Sequence, residues 1–306
     1  MASRISPFST AAGIAAGTVL LALSVPYVAK NPALLSFVPD FTLSDYPFPI
    51  SLGRANVSAP AEAFVCRSQS YRTEIISLDP LLIYIREFIN PDDISALLST
   101  AEPRFERSEV IKGGREVRTT DRTSSSAGLP RDDPAVVCVV ERARSFLGTM
   151  MSDGWDEMGP AQLVRYTAGQ RFNIHRDWYD TPRLASDGTA RKWNRVASFF
   201  VILQDNCTGG ETHFPYVAAV SKQEGRERGP DAPAAEHWRW TDGDPVWRKH
   251  EQGGLAFRPV AGNAVFWVNL HANGTGDRRV SHAGLPVGDG LKTAMNIWPR
   301  QYYAYE

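Results

Sequence analysis

Gly159-Pro-Ala-Gln162-Leu-Val-Arg-Tyr166-Thr-Ala-Gly169-Gln-Arg-Phe172-Asn-Ile-His175-Arg-Asp177 is where the chain changes character. From here on, short strand-like runs follow one another with Gly, Asn, Asp and Pro between them: Gln162–Tyr166, Val196–Leu203, Gly254–Pro259, Ala264–Val268 and Leu291–Trp298. Such spacing marks an antiparallel β-sandwich or barrel. Upstream, Leu81–Ile85 reads as a strand, and two helices are expected. Asn90-Pro-Asp-Asp offers a cap, a first-turn proline and acids at the positive helix end, opening a helix to about Thr100. Asp132-Asp-Pro opens a second, from Ala135 to about Met150. Its apolar positions Val136, Val139, Val140, Ala143, Phe146 and Leu147 recur at three- and four-residue steps. The fold class is therefore α+β, with flanking helices first and a β-core second.

The chain has 306 residues, 43% hydrophobic and 22% charged, with a formal net charge of −1. That is the composition of a globular protein, and no basic field points to nucleic acid. Cys66, Cys138 and Cys207 form no CxxC pair, which argues against a thiolate zinc site. One disulfide with one thiol left over is compatible with their number. Ile5 to Ala29 carries no charge and suits a membrane anchor or a signal peptide; its length favours an uncleaved anchor at 1–30. Residues 31–72, rich in Pro, Ser and Ala, read as a stalk, and the globular domain is expected over 73–306. Sequons at Asn56, Asn206 and Asn273 mildly favour a luminal domain, with Asn56 the glycan candidate. Ser221–Gly253 is polar, bears Trp238, Trp240 and Trp247, and is too long for an ordinary connection; it reads as a lid or a disordered insertion.

No Gly-rich phosphate loop is present, so chemistry must come from elsewhere. On an extended chain, His175 and Asp177 point to the same face. A distant imidazole would complete a facial triad with open metal positions. By itself HxD is weak, since a surface His near an Asp is common. The segment Arg279-Val-Ser-His282-Ala-Gly-Leu-Pro-Val-Gly-Asp289-Gly290-Leu-Lys292 supplies the context. Asp289-Gly290 reads as a hairpin turn placing His282 and Lys292 on successive strands, both able to face a barrel interior. A buried Lys needs an anion, and a dicarboxylate chelating the metal at its other end would serve. The plainer alternative is an exposed hairpin Lys and a core His.

The blocks Tyr166-Thr-Ala-Gly169-Gln170-Arg-Phe172-Asn-Ile-His175-Arg-Asp177, Asn194-Arg195-Val196-Ala197 with Gly209-Gly210-Glu211-Thr212-His-Phe214-Pro215, Gly262-Asn-Ala-Val-Phe266-Trp267, the His282…Lys292 pair, Trp298 and upstream Arg122-Thr-Ser-Ser125 occur in this order. Together they resemble the prolyl 4-hydroxylase family of Fe(II)- and 2-oxoglutarate-dependent dioxygenases, from about Leu81 to Tyr302. The resemblance implies a double-stranded β-helix (jelly-roll) core, with Fe(II) on His175, Asp177 and His282. It implies 2-oxoglutarate held by Lys292 with help from Tyr166, O2 as oxidant and ascorbate to keep the iron reduced. 2-Oxoglutarate would be decarboxylated to succinate as a C–H is hydroxylated.

Trp298 is a further candidate at the co-substrate, and Arg122, Trp238 and Trp240 are candidates for a substrate groove. Where the family often has Lys-Trp, Lys292 is followed by Thr293, and the Ser221–Gly253 insertion follows no collagen-enzyme pattern. The expected function is hydroxylation of proline in a peptide or protein, at an endoplasmic-reticulum or secretory-pathway membrane with the catalytic domain luminal. The rivals are the same chemistry on a free amino acid or small metabolite, and a catalytically silent membrane-anchored binding protein.

Overall fold

The computed structural model describes residues 63–112, 115–117, 119–152, 156–220 and 243–303. The anchor expected at 1–30, the stalk through residue 62, Asn56, Trp238 and Trp240 lie outside them. No helix among the described residues is long and apolar enough to cross a membrane.

The strands that build the core are, in chain order, β1 (Arg72–Leu78), β2 (Leu81–Arg86), β3 (Ser125–Gly128), β4 (Gln162–Thr167), β5 (Phe172–His175), β6 (Lys192–Arg195), β7 (Ala197–Gln204), β8 (Cys207–Gly209), β9 (Thr212–Phe214), β10 (Trp247–Lys249), β11 (Leu255–Phe257), β12 (Ala264–Val268), β13 (His282–Gly284), β14 (Val287–Ile297) and β15 (Pro299–Tyr303). The major sheet runs β1-β2-β12-β7-β14-β4-β3, and the minor sheet β10-β11-β9-β13-β5; all pairs are antiparallel. The sheets face each other through apolar rings, Tyr84 on Phe257 and Trp267 on Phe214. This is the jelly-roll core.

Period-two alternation decides what each face carries. In β7, Phe199 points outward and packs on Phe88, Phe146 and Phe266. Its neighbours Ser198 and Phe200 point inward, toward the minor sheet. In β14, Lys292, Asn296 and the following Trp298 share the inward face. The outer face is covered by two helices. In α1 (Pro91–Ala101), the Asn90 side chain accepts from Asp93 N at 2.9 Å and Asp93 Oδ2 accepts from Asn90 N at 3.1 Å, a reciprocal cap. In α2 (Pro134–Leu147), the Asp133 side chain caps Ala135 and Val136. The stripe Val136, Val139, Ala143 and Leu147 is buried as its spacing predicts, with Val140 and Phe146 half-buried. The helix stops three residues short of the expected Met150, because Gly148 takes a positive φ of 51° and a 3-10 turn follows.

Two expectations are corrected. Asp289-Gly290 is not a hairpin: β14 runs through it without reversing. A two-residue hairpin turn of that sequence needs positive φ at both positions, and only Gly290 has one, 84°. Asp289 N donates instead to Thr208 Oγ1 (2.9 Å) and Leu291 N to Asn206 O (2.7 Å), so the segment is a bulged strand against β8. His282 and Lys292 therefore sit in different sheets, yet both are buried in the interior. The end of the long insertion is likewise no loose lid: Trp247 is buried in β10, paired with β11.

Residues 63–71, placed by the sequence in the stalk, carry Cys66, which is disulfide-bonded to Cys138 of α2; Cys207 is free.

Candidate metal centre and active site

His175 ends β5 and His282 opens β13, and the register pairs them directly. Asp177 follows two residues after His175. One ligand atom from each of His175, Asp177 and His282 lies within 4.8 Å of the others. Their tautomers are fixed by the backbone. His175 Nδ1 lies 2.9 Å from Asn173 O and His282 Nδ1 lies 3.0 Å from Val280 O. A carbonyl only accepts, so each Nδ1 carries the proton and each Nε2 turns a lone pair toward Asp177. Both Nε2 atoms are 4.0 Å from a carboxylate oxygen, His175 from Oδ1 and His282 from Oδ2. Phe172 stacks on His175 with ring centroids 3.6 Å apart, and Trp267 and Phe214 pack on His282.

Charge suits the same end. Burial, reinforced by the facing His282, pushes the His175 imidazole down to about 3, so it is neutral at physiological pH. Burial alone would raise the Asp177 carboxyl, but His282, His175, Arg195 and the Ser198 hydroxyl together hold it at about 2. Two imidazoles whose Nε2 atoms face Asp177, together with its carboxylate, are the donor set of a facial triad for a divalent first-row metal. The described residues fit such an ion.

Lys292 is 1% exposed, on the β14 position paired with Tyr166 of β4, a residue that lines the same cavity as the triad. Its Nζ donates to Gly210 O at 2.6 Å and lies 5.0 Å from the Phe200 ring and 5.7 Å from the Tyr166 ring. Burial pushes its pKa down to about 8. A buried ammonium whose one hydrogen bond goes to a neutral carbonyl has two donors left for an anion. Gly210 makes that carbonyl available: its φ is +69°, and an added Cβ would lie 3.1 Å from Val287 Cγ2 and 3.5 Å from Lys292 Cδ. Tyr166 is buried, which raises its phenol pKa and keeps it a protonated donor.

A cavity of about 830 Å³ is lined by the triad together with Tyr166, Phe200, Thr212, Arg122, Tyr179 and Trp298, and the Tyr166 and Phe200 rings also flank Lys292 Nζ. Arg122, expected at a groove, lies in this wall over the Phe172 ring at 4.9 Å. Trp298, expected beside the co-substrate, donates its indole N–H to Asp177 Oδ2 at 3.0 Å and so reaches the metal ligand. Asp121, which reads as part of a solvated loop, also lines the cavity and accepts from Asn173.

The sequence singles out neither Ser198 nor Arg248, and Arg195 and Glu211 stand there only within the quoted blocks. Arg195 lies over Trp298 at 3.7 Å and donates to Asp177 O. Ser198 Oγ donates to Asp177 Oδ2 at 2.7 Å. The signal for Ser198 was present: a hydroxyl inside the apolar run Val196–Leu203 must find a partner once buried. Glu211 and Arg248 pair at 3.0 Å with both side chains almost wholly buried.

Residues 161–300 match the model of the 2OG-Fe(II) oxygenase superfamily. The triad and Lys292 all fall inside this span. Over this span the chain carries a 2OG-Fe(II) oxygenase domain. Among its relatives, prolyl 4-hydroxylase 1 of Arabidopsis thaliana is 28% identical over 246 residues, covering 78% of this oxygenase and 76% of the plant protein. Prolyl 4-hydroxylase subunit alpha-3 of Mus musculus is 27% identical over 235 residues, covering 76% of this oxygenase but 36% of the mouse subunit. A viral collagen prolyl hydroxylase from Paramecium Bursaria Chlorella virus-1, solved with 2OG, superposes with a TM-score of 0.48 at 20% identity, over 72% of this chain and 96% of that one. The family's Fe(II), 2-oxoglutarate and O2 match what the site offers: a two-His, one-carboxylate set and a buried cation with no salt bridge among the described residues.

Proposed function

We propose that this oxygenase hydroxylates proline, at carbon 4, in a peptide or protein. The observation that carries its chemistry is the convergence of His175, Asp177 and His282 in a cavity whose Tyr166 and Phe200 rings also flank the buried Lys292. Fe(II) and 2-oxoglutarate, when bound, would activate O2, which would oxidise both substrates: one oxygen atom to the substrate C–H and the other to succinate as CO2 is lost. The chain's residues supply placement. His175, Asp177 and His282 would hold the metal, Lys292 the distal carboxylate of the co-substrate, and the Tyr166 hydroxyl would add a hydrogen bond there. Phe200 and Phe172 shield the interior from water. Ascorbate serves to keep the iron ferrous.

The prolyl hydroxylase relatives support a proline substrate. The test is succinate formation and hydroxyproline yield with proline-rich peptides set against free amino acids and small 2-oxoglutarate-enzyme substrates. Hydroxyproline in the peptide with matched succinate is the expected result. Turnover confined to a small molecule would move the substrate class, and no Fe(II) uptake would leave only a silent binding protein.

The proposed place of work is the lumen of the secretory pathway, with residues 1–30 as the anchor. The Cys66–Cys138 disulfide supports an oxidising compartment. Protease protection of the catalytic domain in sealed microsomes, lost on adding detergent, is the expected outcome; digestion without detergent would refute it.

A further inference from the structure

Asp177 is held from behind by a chain of buried side chains whose hydrogen bonds run in one direction. Trp267 Nε1 is 2.9 Å from Asn269 Oδ1, Asn269 Nδ2 is 2.9 Å from Ser198 Oγ, and Ser198 Oγ is 2.7 Å from Asp177 Oδ2. Trp267, Asn269 and Ser198 are each at most 1% exposed. An indole N–H can only donate. It therefore fixes which end of the Asn269 amide faces it, and that leaves the amide NH2 toward Ser198. The Ser198 oxygen accepts that N–H, so its single proton is directed to Asp177. Trp298 Nε1, also donor-only, reaches the same Oδ2 at 3.0 Å.

Distance does not distinguish the two carboxylate oxygens, since each stands 4.0 Å from one imidazole Nε2. The hydrogen bonds do. Among the described residues, Oδ2 receives two donors and Oδ1 receives none. We infer that Ser198, aimed by Asn269 and Trp267, is a positioning residue that occupies Oδ2 of Asp177 and leaves Oδ1 as the oxygen presented to the metal. A carboxylate restrained in this way cannot swing its second oxygen onto the ion, so the remaining positions stay open to co-substrate and O2. Trp267 also packs edge-on against His282, with centroids 4.7 Å apart, so one residue sets the backing of two ligands.

The inference rests on the metal reading above, and the experiment separates the two. Co(II) serves as the probe, because its visible bands report coordination without turnover. The full-length protein and its Ser198→Ala, Ser198→Thr and Trp298→Phe variants are titrated with Co(II), then with 2-oxoglutarate, and thermal midpoints are recorded alongside. Ser198→Ala is expected to weaken Co(II) or 2-oxoglutarate binding by about tenfold or more and to shift the visible bands. Ser198→Thr, which keeps the hydroxyl, should restore both. A purely structural role would lower the thermal midpoint and leave the bands unchanged, and that result overturns the inference. Should Ser198→Ala fail to fold, Trp298→Phe leaves Ser198 as the remaining described donor to that oxygen: bands and affinities near wild type are then expected, and their loss would assign the restraint to Trp298 and overturn the inference. Wild-type protein that takes up no Co(II) would instead defeat the metal reading itself.

Discussion

At the scale of single residues, the site asks each group for one property. His175, Asp177 and His282 must offer lone pairs, so His175→Ala, Asp177→Ala and His282→Ala should each abolish Fe(II) uptake and succinate formation with the far-ultraviolet circular dichroism unchanged. A triad variant retaining wild-type turnover would show that the ligand set is wrong. Lys292 must offer charge. Removing a charge-assisted contact of about 1.5–3 kcal/mol should raise the 2-oxoglutarate Kd in Lys292→Ala by about one to two orders of magnitude, while metal uptake stays intact. The pH dependence has a definite sign. Burial lowers the Lys292 pKa from 10.5 to about 8 in the protein, and only the protonated form attracts a carboxylate. The Kd for 2-oxoglutarate should therefore be flat below pH 8. Above it, the Kd should rise toward about tenfold per pH unit, until the bound-state pKa is reached. Calorimetric titrations between pH 6.5 and 9.5 give this directly, and a Kd that falls with rising pH would contradict it.

At the scale of elements, the interior face is assembled from residues that alternate along β4, β7 and β14, and the turn before β9 brings the last partner. Gly210 holds a φ of +69° there and hands its carbonyl to Lys292. A side chain at that φ costs about 1–2 kcal/mol, and its methyl would press on Val287 and Lys292. Gly210→Ala should lower stability by about that amount in urea denaturation and also weaken 2-oxoglutarate binding. Loss of stability with unchanged affinity would mean that the carbonyl does not set the lysine. The neighbouring Glu211–Arg248 pair ties β10 to the same turn, with side chains 3% and 5% exposed. Breaking one partner of a buried pair leaves the other uncompensated, at about 3–5 kcal/mol. Arg248→Met should therefore cost more than replacing both partners together with apolar residues, a difference that denaturation of the single and double variants would resolve.

At the scale of the whole molecule, legibility followed sequence distance. Caps and helix stripes are local, so Asn90, Asp133 and the Val136–Leu147 stripe could be read directly. The grouping of the three residues could be anticipated because His175 and Asp177 are two residues apart and His282 lies in a recognisable block, although β5 ends at His175 and Asp177 sits in the bend after it. What stayed hidden depended on pairing between distant segments. The Asp289-Gly290 stretch looked like a hairpin until β8 claimed its backbone groups. Ser198 and Asn269 looked like isolated polar residues until β7 and β12 placed them side by side. Cys66 and Cys138 could not be matched because a spacing of 72 residues says nothing about proximity. That last pairing makes the strongest global prediction. Closing a loop of this length removes denatured-state entropy worth about 4 kcal/mol on the chain-entropy model. The bond also secures residues 63–71 against α2, where Arg142 donates to Arg67 O and to Phe88 O and pairs with Asp93 at 2.7 Å. Cys66→Ser with Cys138→Ser should therefore lower the unfolding free energy by about 2–4 kcal/mol. Metal and co-substrate affinity should stay unchanged, because neither cysteine touches the cavity wall. Denaturation of the double variant beside wild type under oxidising and reducing conditions separates the effects. Wild type should fall to the variant's stability when reduced, and a variant as stable as oxidised wild type would remove the disulfide from any role in holding the domain together.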